Sequence, residues 1–158
     1  MSQEFQKFSA IITDTSCFIL LDKIDALSIL NDLFPNVVTT PEIAAEFGKQ
    51  LPEWVEIRSV KDKSKQLSFT EGVDEGEVSA IALAIETPSC LLIIDDLKGR
   101  KLALSLNLMH TGTLGVLILA KTNGIIPELR TYLNRIQLTN FRLSPALIED
   151  ILQKAGEI

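Results

Sequence analysis

The chain carries short apolar runs that do not alternate with polar residues. FSAIIT at residues 8–13 and CLLII at 90–94 are aliphatic along most of their length. A strand with one face in water shows a polar residue at every second position. A run this apolar suits a strand covered on both faces, as in the parallel sheets of α/β proteins.

Helical patterns separate these runs. From Cys17 to Phe34 the apolar residues Phe18, Leu21, Leu27, Leu30 and Leu33 recur at helical spacing, with a break expected near Asp22 to Asp25. NVVTT (36–40) is a second short strand. Thr40 followed by Pro41 is an N-cap and a favoured first helical residue, and EIAAEF continues that helix. WVEIRSV (54–60) alternates and suits an edge strand or a hairpin arm. DEGEVSAIALAIE (74–86) is a strong helical pattern. After CLLII the sequence predicts a helix over about 97–107 and a strand around Leu108 to His110. A helix over about 113–123 follows, stopped by Gly124. Two more helices are expected to begin at Pro127 and at Ser144-Pro145. Strands alternating with helices predict an α/β sandwich, its central sheet mostly parallel and flanked by helices. No repeat or low-complexity tract interrupts the pattern, so residues 1–158 are expected to form a single domain.

Composition narrows the function classes. Net charge is −6 and the sequence pI about 4.8, which counts against loose, charge-driven binding to nucleic acid. It leaves room for an enzyme whose carboxylates hold cations. No apolar stretch reaches the roughly 18 residues that span a bilayer. MSQEFQKFSA does not read as a signal peptide, and a cytoplasmic protein is expected. Cys17 and Cys90 each adjoin an apolar run, read as buried hydrophobes with no metal-ligand spacing between them.

Ligands of parallel α/β sheets gather beyond the carboxyl ends of the strands. Asp14 follows the first strand directly, and Asp95 and Asp96 follow CLLII. Glu46 lies on the helix after the second strand, and Glu77 in the first turn of the 74–86 helix. Four acidic positions from separate elements thus surround one expected pocket. Like charges raise one another's pKa values, and hard divalent cations relieve the repulsion, with Mg2+ or Mn2+ the natural choices. Two such ions about 4 Å apart can activate a water and stabilise the leaving oxygen of a phosphodiester.

Plainer readings compete. Asp14 with Thr15 and Ser16 suits a helix cap, and Glu46 a solvated helix face. Asp74-Glu75-Gly76-Glu77 fits an acidic capping box. Asp96 suits an N-cap for the helix beginning near Leu97, which leaves Asp95 unexplained. His110 is a lone histidine after a strand. Lys98, Arg100 and Lys101 suit an exposed helix face as well as contacts to substrate phosphates.

Taken in order, IITDTS, TTPEIAAEF, DEGEVSAIALA, LLIIDDLKGRKLA and HTGTLGVLILAKTNG resemble the PIN-domain family, in its prokaryotic DUF3368-type branch. The resemblance is strongest over residues 9–126, with 127–158 expected as helices packed on that body. It implies a PIN-like three-layer fold and a metal-dependent nuclease, often the ribonuclease toxin of a toxin–antitoxin pair. By position it makes Asp14 the first-strand metal ligand and Glu46 the helical glutamate of the pocket. Glu77 stands where many relatives have aspartate. Asp95 is the fourth acidic position, with Asp96 beside it. The expected metal ligands are Asp14, Glu77, Asp95 and Asp96. Ser16 and Thr113 would support the pocket by hydrogen bonding. The implied partners are an RNA substrate, a small antitoxin protein and a second copy of the chain. Two other readings stand beside it: a non-catalytic module that binds nucleic acid or protein, and a receiver-type phosphoacceptor domain.

Overall fold

The computed structural model describes residues 8–68 and 72–158. The reading of the start of the chain as no signal peptide falls mostly on residues 1–7, outside them. Five strands form one parallel sheet in the order β3-β2-β1-β4-β5. They are β1 (Ala10–Thr13), β2 (Val37–Thr39), β3 (Val55–Ile57), β4 (Cys90–Ile93) and β5 (His110–Thr111). Every residue of β1, β2 and β4 is buried, while the outer strands β3 and β5 keep exposed or half-buried positions. The uniformly apolar runs are therefore the central strands, as two-sided burial requires.

The helices are α1 (Thr15–Lys23), α2 (Ser28–Leu33), α3 (Pro41–Phe47), α4 (Lys63–Ser68), α5 (Glu75–Glu86), α6 (Leu97–Ser105), α7 (Thr113–Thr122), α8 (Arg130–Gln137) and α9 (Pro145–Lys154). Together with the sheet they make a PIN-like three-layer α/β fold. Phe18, Leu21, Leu30, Ile81 and Leu117 come from helices and Ile12, Val38 and Leu92 from strands, all within one core. Burying each such side chain contributes about 2 kcal/mol. Among the described residues no helix is long and apolar enough to cross a membrane.

The elements depart from the sequence reading in several places, α4 among them, which that reading did not include. WVEIRSV is a parallel edge strand of three residues, not a hairpin arm. The last strand sits at His110–Thr111, later than Leu108 to His110. Leu108 instead closes α6, its amide donating to the Ala103 carbonyl at 3.0 Å. The helix expected at Pro127 begins at Arg130. There the amides of Leu129 and Arg130 are taken up by the Glu157 carboxylate, a distant cap that no local motif announces. The expected break between α1 and α2 is present. Asp25 adopts φ 56°, and the Ala26 amide turns back to the Leu21 carbonyl at 2.8 Å.

The register positions the site. Thr13 pairs with Ile93 in adjacent strands, so β1 and β4 end level with each other. From β1 the chain goes to β2 on one side, and β4 lies on the other. A sheet whose strand order diverges like this opens a crevice at the carboxyl end of the central strand. Asp14 stands there.

Candidate active site

Asp14 is the N-cap of α1 and only 1% exposed. Its Oδ1 accepts from the Cys17 amide at 2.9 Å and its Oδ2 from the Asp95 amide at 3.0 Å. Burial, reinforced by the nearby Asp95 carboxylate, pushes the Asp14 carboxyl up to about 7, although both backbone bonds favour the ionised form. Capping and membership of an acidic site, weighed as alternatives from sequence, are combined in this one residue.

Asp95 reaches across to the start of α7. Its Oδ1 accepts from the Thr113 amide at 2.7 Å and its Oδ2 from the Thr113 hydroxyl at 2.6 Å. Asp96 is the N-cap of α6 and accepts from the Gly99 amide at 3.1 Å. The adjacent aspartates thus face different helix starts, as successive residues beyond a strand must. Gly112 leaves room for the first of these contacts, since a Cβ there would stand 2.8 Å from Asp95 Oδ1.

Glu77 comes in from the first turn of α5. Its Oε2 is buried and has no hydrogen-bond partner among the described residues. Burial, then the carboxylates of Asp96, Asp74 and Asp14, push its pKa up to about 8. Two facing carboxylates hydrogen-bond only when one holds a proton, so Glu77 and Asp96 interact favourably in the protonated state of Glu77. Bare Gly99 admits it: a Cβ at that position would meet Glu77 Oε2 at 2.8 Å. The capping box does not form, because Asp74 occupies the N-cap position without a side-chain cap hydrogen bond.

Glu46 is exposed on α3. It accepts from the Thr15 hydroxyl at 3.0 Å and lies on Gly76, where a Cβ would come within 2.3 Å of its Oε1. It occupies the corner between α1 and the start of α5 and is not part of the cleft lining. Under this corner Thr40 and Ser79 join α3 to α5, their hydroxyl oxygens 2.6 Å apart, and Ser79 donates to the Gly76 carbonyl at 2.6 Å.

A cleft of about 370 Å3 opens above these groups. Ser16, Asp74, Glu77, Asp95, Asp96 and Thr113 line one side of it. Leu20, Leu114, Ile136, Phe141, Arg142 and Leu143 line the rest. Sequence reasoning passed over Asp74, which read as a cap alone, and Phe141 and Arg142. Phe-Arg before Ser144-Pro145 is an aromatic–cation pair in a connecting loop, a type that often carries function. Lys98, Arg100 and Lys101 stand exposed on α6 outside the cleft lining, Arg100 the nearest, beside Gly112. His110 is half-buried, its Nδ1 2.9 Å from the Leu108 carbonyl. Cys17 and Cys90 are buried free thiols.

Among the described residues, Asp14, Glu77, Asp95 and Asp96 form no ion pairs. Nor do any three acidic, histidine or cysteine side chains there stand in a ready-made metal cage. Each aspartate is instead held by protein donors. The orphaned Glu77 oxygen, with oxygen-only donors around it, fits a hard divalent cation that would draw these carboxylates together.

A family model described as a PIN domain matches residues 10–157. The chain belongs to the PIN-domain family. Its members are generally nuclease-like and typically use divalent metal ions. Membership sets aside the receiver-domain alternative. No curated protein and no solved structure matches the chain.

Proposed function

We propose that this PIN domain is a Mg2+- or Mn2+-dependent endoribonuclease acting as the toxin of a toxin–antitoxin pair. The observation that carries the reading is the meeting of four unpaired carboxylates at the switch point of the sheet. Two of them, Asp14 and Glu77, are held so unfavourably that their pKa values rise to about 7 and about 8. Such a cost is characteristic of functional sites, because folding alone gains nothing from it. Asp14, Glu77, Asp95 and Asp96 would hold the ion or ions, with Glu46 at the edge.

When bound, the cation supplies charge that offsets the phosphodiester and makes a nearby water more acidic. The chain's own groups do the rest. Thr113 fixes the direction of Asp95 through two hydrogen bonds. The Asp95 amide and the Cys17 amide fix Asp14. Ser16, lining the cleft, offers a hydroxyl to a phosphate oxygen, and the apolar wall limits bulk water. The family implies a second copy of the chain as dimer partner and a small antitoxin that blocks the acidic pocket.

Incubating the purified protein with structured RNA, with Mn2+ or Mg2+ and with EDTA, tests the reading. Cleavage that needs the metal and disappears in Asp14→Asn is expected. Cleavage that survives EDTA, or no cleavage with any divalent ion, rejects it. A second reading is a non-catalytic binding module, although a binder of polyanions gains nothing from clustered negative charges. Titration calorimetry separates the two, since a module of that kind takes up no divalent ion.

A further inference from the structure

The acidic side of the cleft accounts for chemistry, but nothing in that chemistry calls for its other side. That side comes largely from the connection between α8 and α9. Phe141 is half-buried there and lines the cleft together with Arg142 and Leu143. Lys23, which is not among the lining residues, places its Nζ 5.7 Å from the centre of the Phe141 ring. A 2.7 Å hydrogen bond from Lys23 Nζ to Asn140 Oδ1 keeps it there. Arg142 donates through Nη1 to the carbonyls of Gln137, Thr139 and Phe141, and its side chain is exposed at the cleft. Lys23 thus lies over the aromatic ring and Arg142 follows it in the chain, in a protein of net charge −6 whose cleft is also lined by carboxylates.

We propose that Phe141, with Arg142 beside it in the cleft lining, forms a nucleobase subsite of the cleft, which positions the strand for the carboxylates. The inference rests on the nuclease reading and adds to it the place where the substrate is gripped. A phosphodiester is repelled by the acidic wall, so it needs cations on another side to enter. Arg142 is the cation that lines that side. A base splayed from its strand presents an apolar face, which Phe141 and Leu143 can cover, while a flanking phosphate meets Arg142. Stacking on one aromatic ring with backbone contacts beside it is a general way to hold a single strand. An apolar peptide would fill the same wall but would make no use of Arg142.

The test uses Phe141→Leu, which keeps an apolar filler against the core, and Phe141→Trp, which keeps an aromatic face. The substrate is an RNA oligonucleotide that the wild type cleaves, with abasic versions at each position around the cut. Phe141→Leu is expected to raise KM about tenfold with kcat little changed, and Phe141→Trp to restore it. The wild type should lose a similar factor at one abasic position, and Phe141→Leu should lose nothing further there. Melting temperatures show that both variants fold. An unchanged KM in Phe141→Leu, or equal losses on intact and abasic RNA, overturns the subsite while leaving the nuclease reading in place. If the wild type cleaves nothing, the nuclease reading falls, and anisotropy of the labelled oligonucleotide in EDTA decides the subsite alone. Binding weakened about tenfold by Phe141→Leu supports it, and no binding or equal binding rejects it.

Discussion

The backbone amide of Asp95 donates to the side chain of Asp14 at 3.0 Å, tying the end of β4 to the end of β1. Both oxygens of Asp14 are thereby occupied by backbone amides, from Cys17 and from Asp95. Asp14→Asn consequently does two opposed things. It removes a buried charge, and it turns an NH2 group toward one of those amides.

The balance depends on pH. The folded pKa of Asp14, about 7, lies above the ordinary value of 3.8. Folding therefore favours the protonated form, and the wild type loses stability as pH rises from about 4 to about 7, by up to about 4 kcal/mol. The asparagine variant has no such slope and carries a lost hydrogen bond of about 1–3 kcal/mol at every pH. Without metal it should melt below the wild type at pH 5 and close to or above it at pH 8. A difference in melting temperature that does not move between those values would show that Asp14 is not held protonated. Cleavage should be lost at both.

Protons compete with cations at this site. Burial lifts Asp14 to about 7, and burial with three neighbouring carboxylates lifts Glu77 to about 8. Ligation requires both to give up their protons, so Mn2+ affinity should rise steeply from pH 6 to pH 8.5, and binding should release protons. Calorimetry in two buffers of different ionisation enthalpy measures this. Glu77→Gln should weaken the affinity strongly and flatten its pH dependence. Wild-type affinity in that variant would remove Glu77 from the site.

The sheet was legible because two-sided burial leaves apolar runs in the sequence, and β1 and β4 are those runs. The strand-end aspartates followed from the same rule. Local motifs also read correctly where the partner is near: Thr40 accepts from Ile43 and Ser144 from Leu147 as N-caps. What stayed hidden depends on contacts across the chain. Glu157 holds the start of α8 from 28 residues away. Phe141 and Arg142 reach the cleft only through the connection after α8, which the Lys23–Asn140 hydrogen bond ties to α1. The capping box at Asp74 was a sound local motif that lost to tertiary context, for Glu77 turns toward Asp96.

Asp95 and Asp96 should respond differently to substitution. Both oxygens of Asp95 accept from Thr113, and an amide cannot accept through both of its atoms. Asp95→Asn should lose about 1–3 kcal/mol as well as activity. Thr113→Val, which removes only the hydroxyl, should lose about 1 kcal/mol and lower the activity in part. Asp96→Ala should lose about 1 kcal/mol as a cap, and Asp96→Ser should recover it. Chemical denaturation gives the energies. An Asp96→Ser variant that is stable but wholly inactive would make Asp96 a ligand as important as Asp95.

Glu46 stands at the edge of the site, held there by the Thr15 hydroxyl, and Gly76 offers a way to move it without changing its charge. A Cβ at position 76 would stand 2.3 Å from Glu46 Oε1, 2.9 Å from its Cδ and 3.1 Å from its Oε2. Those atoms are the far end of a flexible, exposed side chain, which can swing away at small cost. Gly76 is also helical, where alanine gains up to about 1 kcal/mol in propensity. Gly76→Ala should therefore fold with unchanged or slightly higher stability while expelling Glu46 from its corner. If Glu46 serves the site, metal-dependent cleavage should fall about as far as in Glu46→Gln, and combining the two changes should add nothing more. Full activity in Gly76→Ala, at a melting temperature no lower than the wild type's, would leave Glu46 as a solvated helix residue that merely accepts from Thr15.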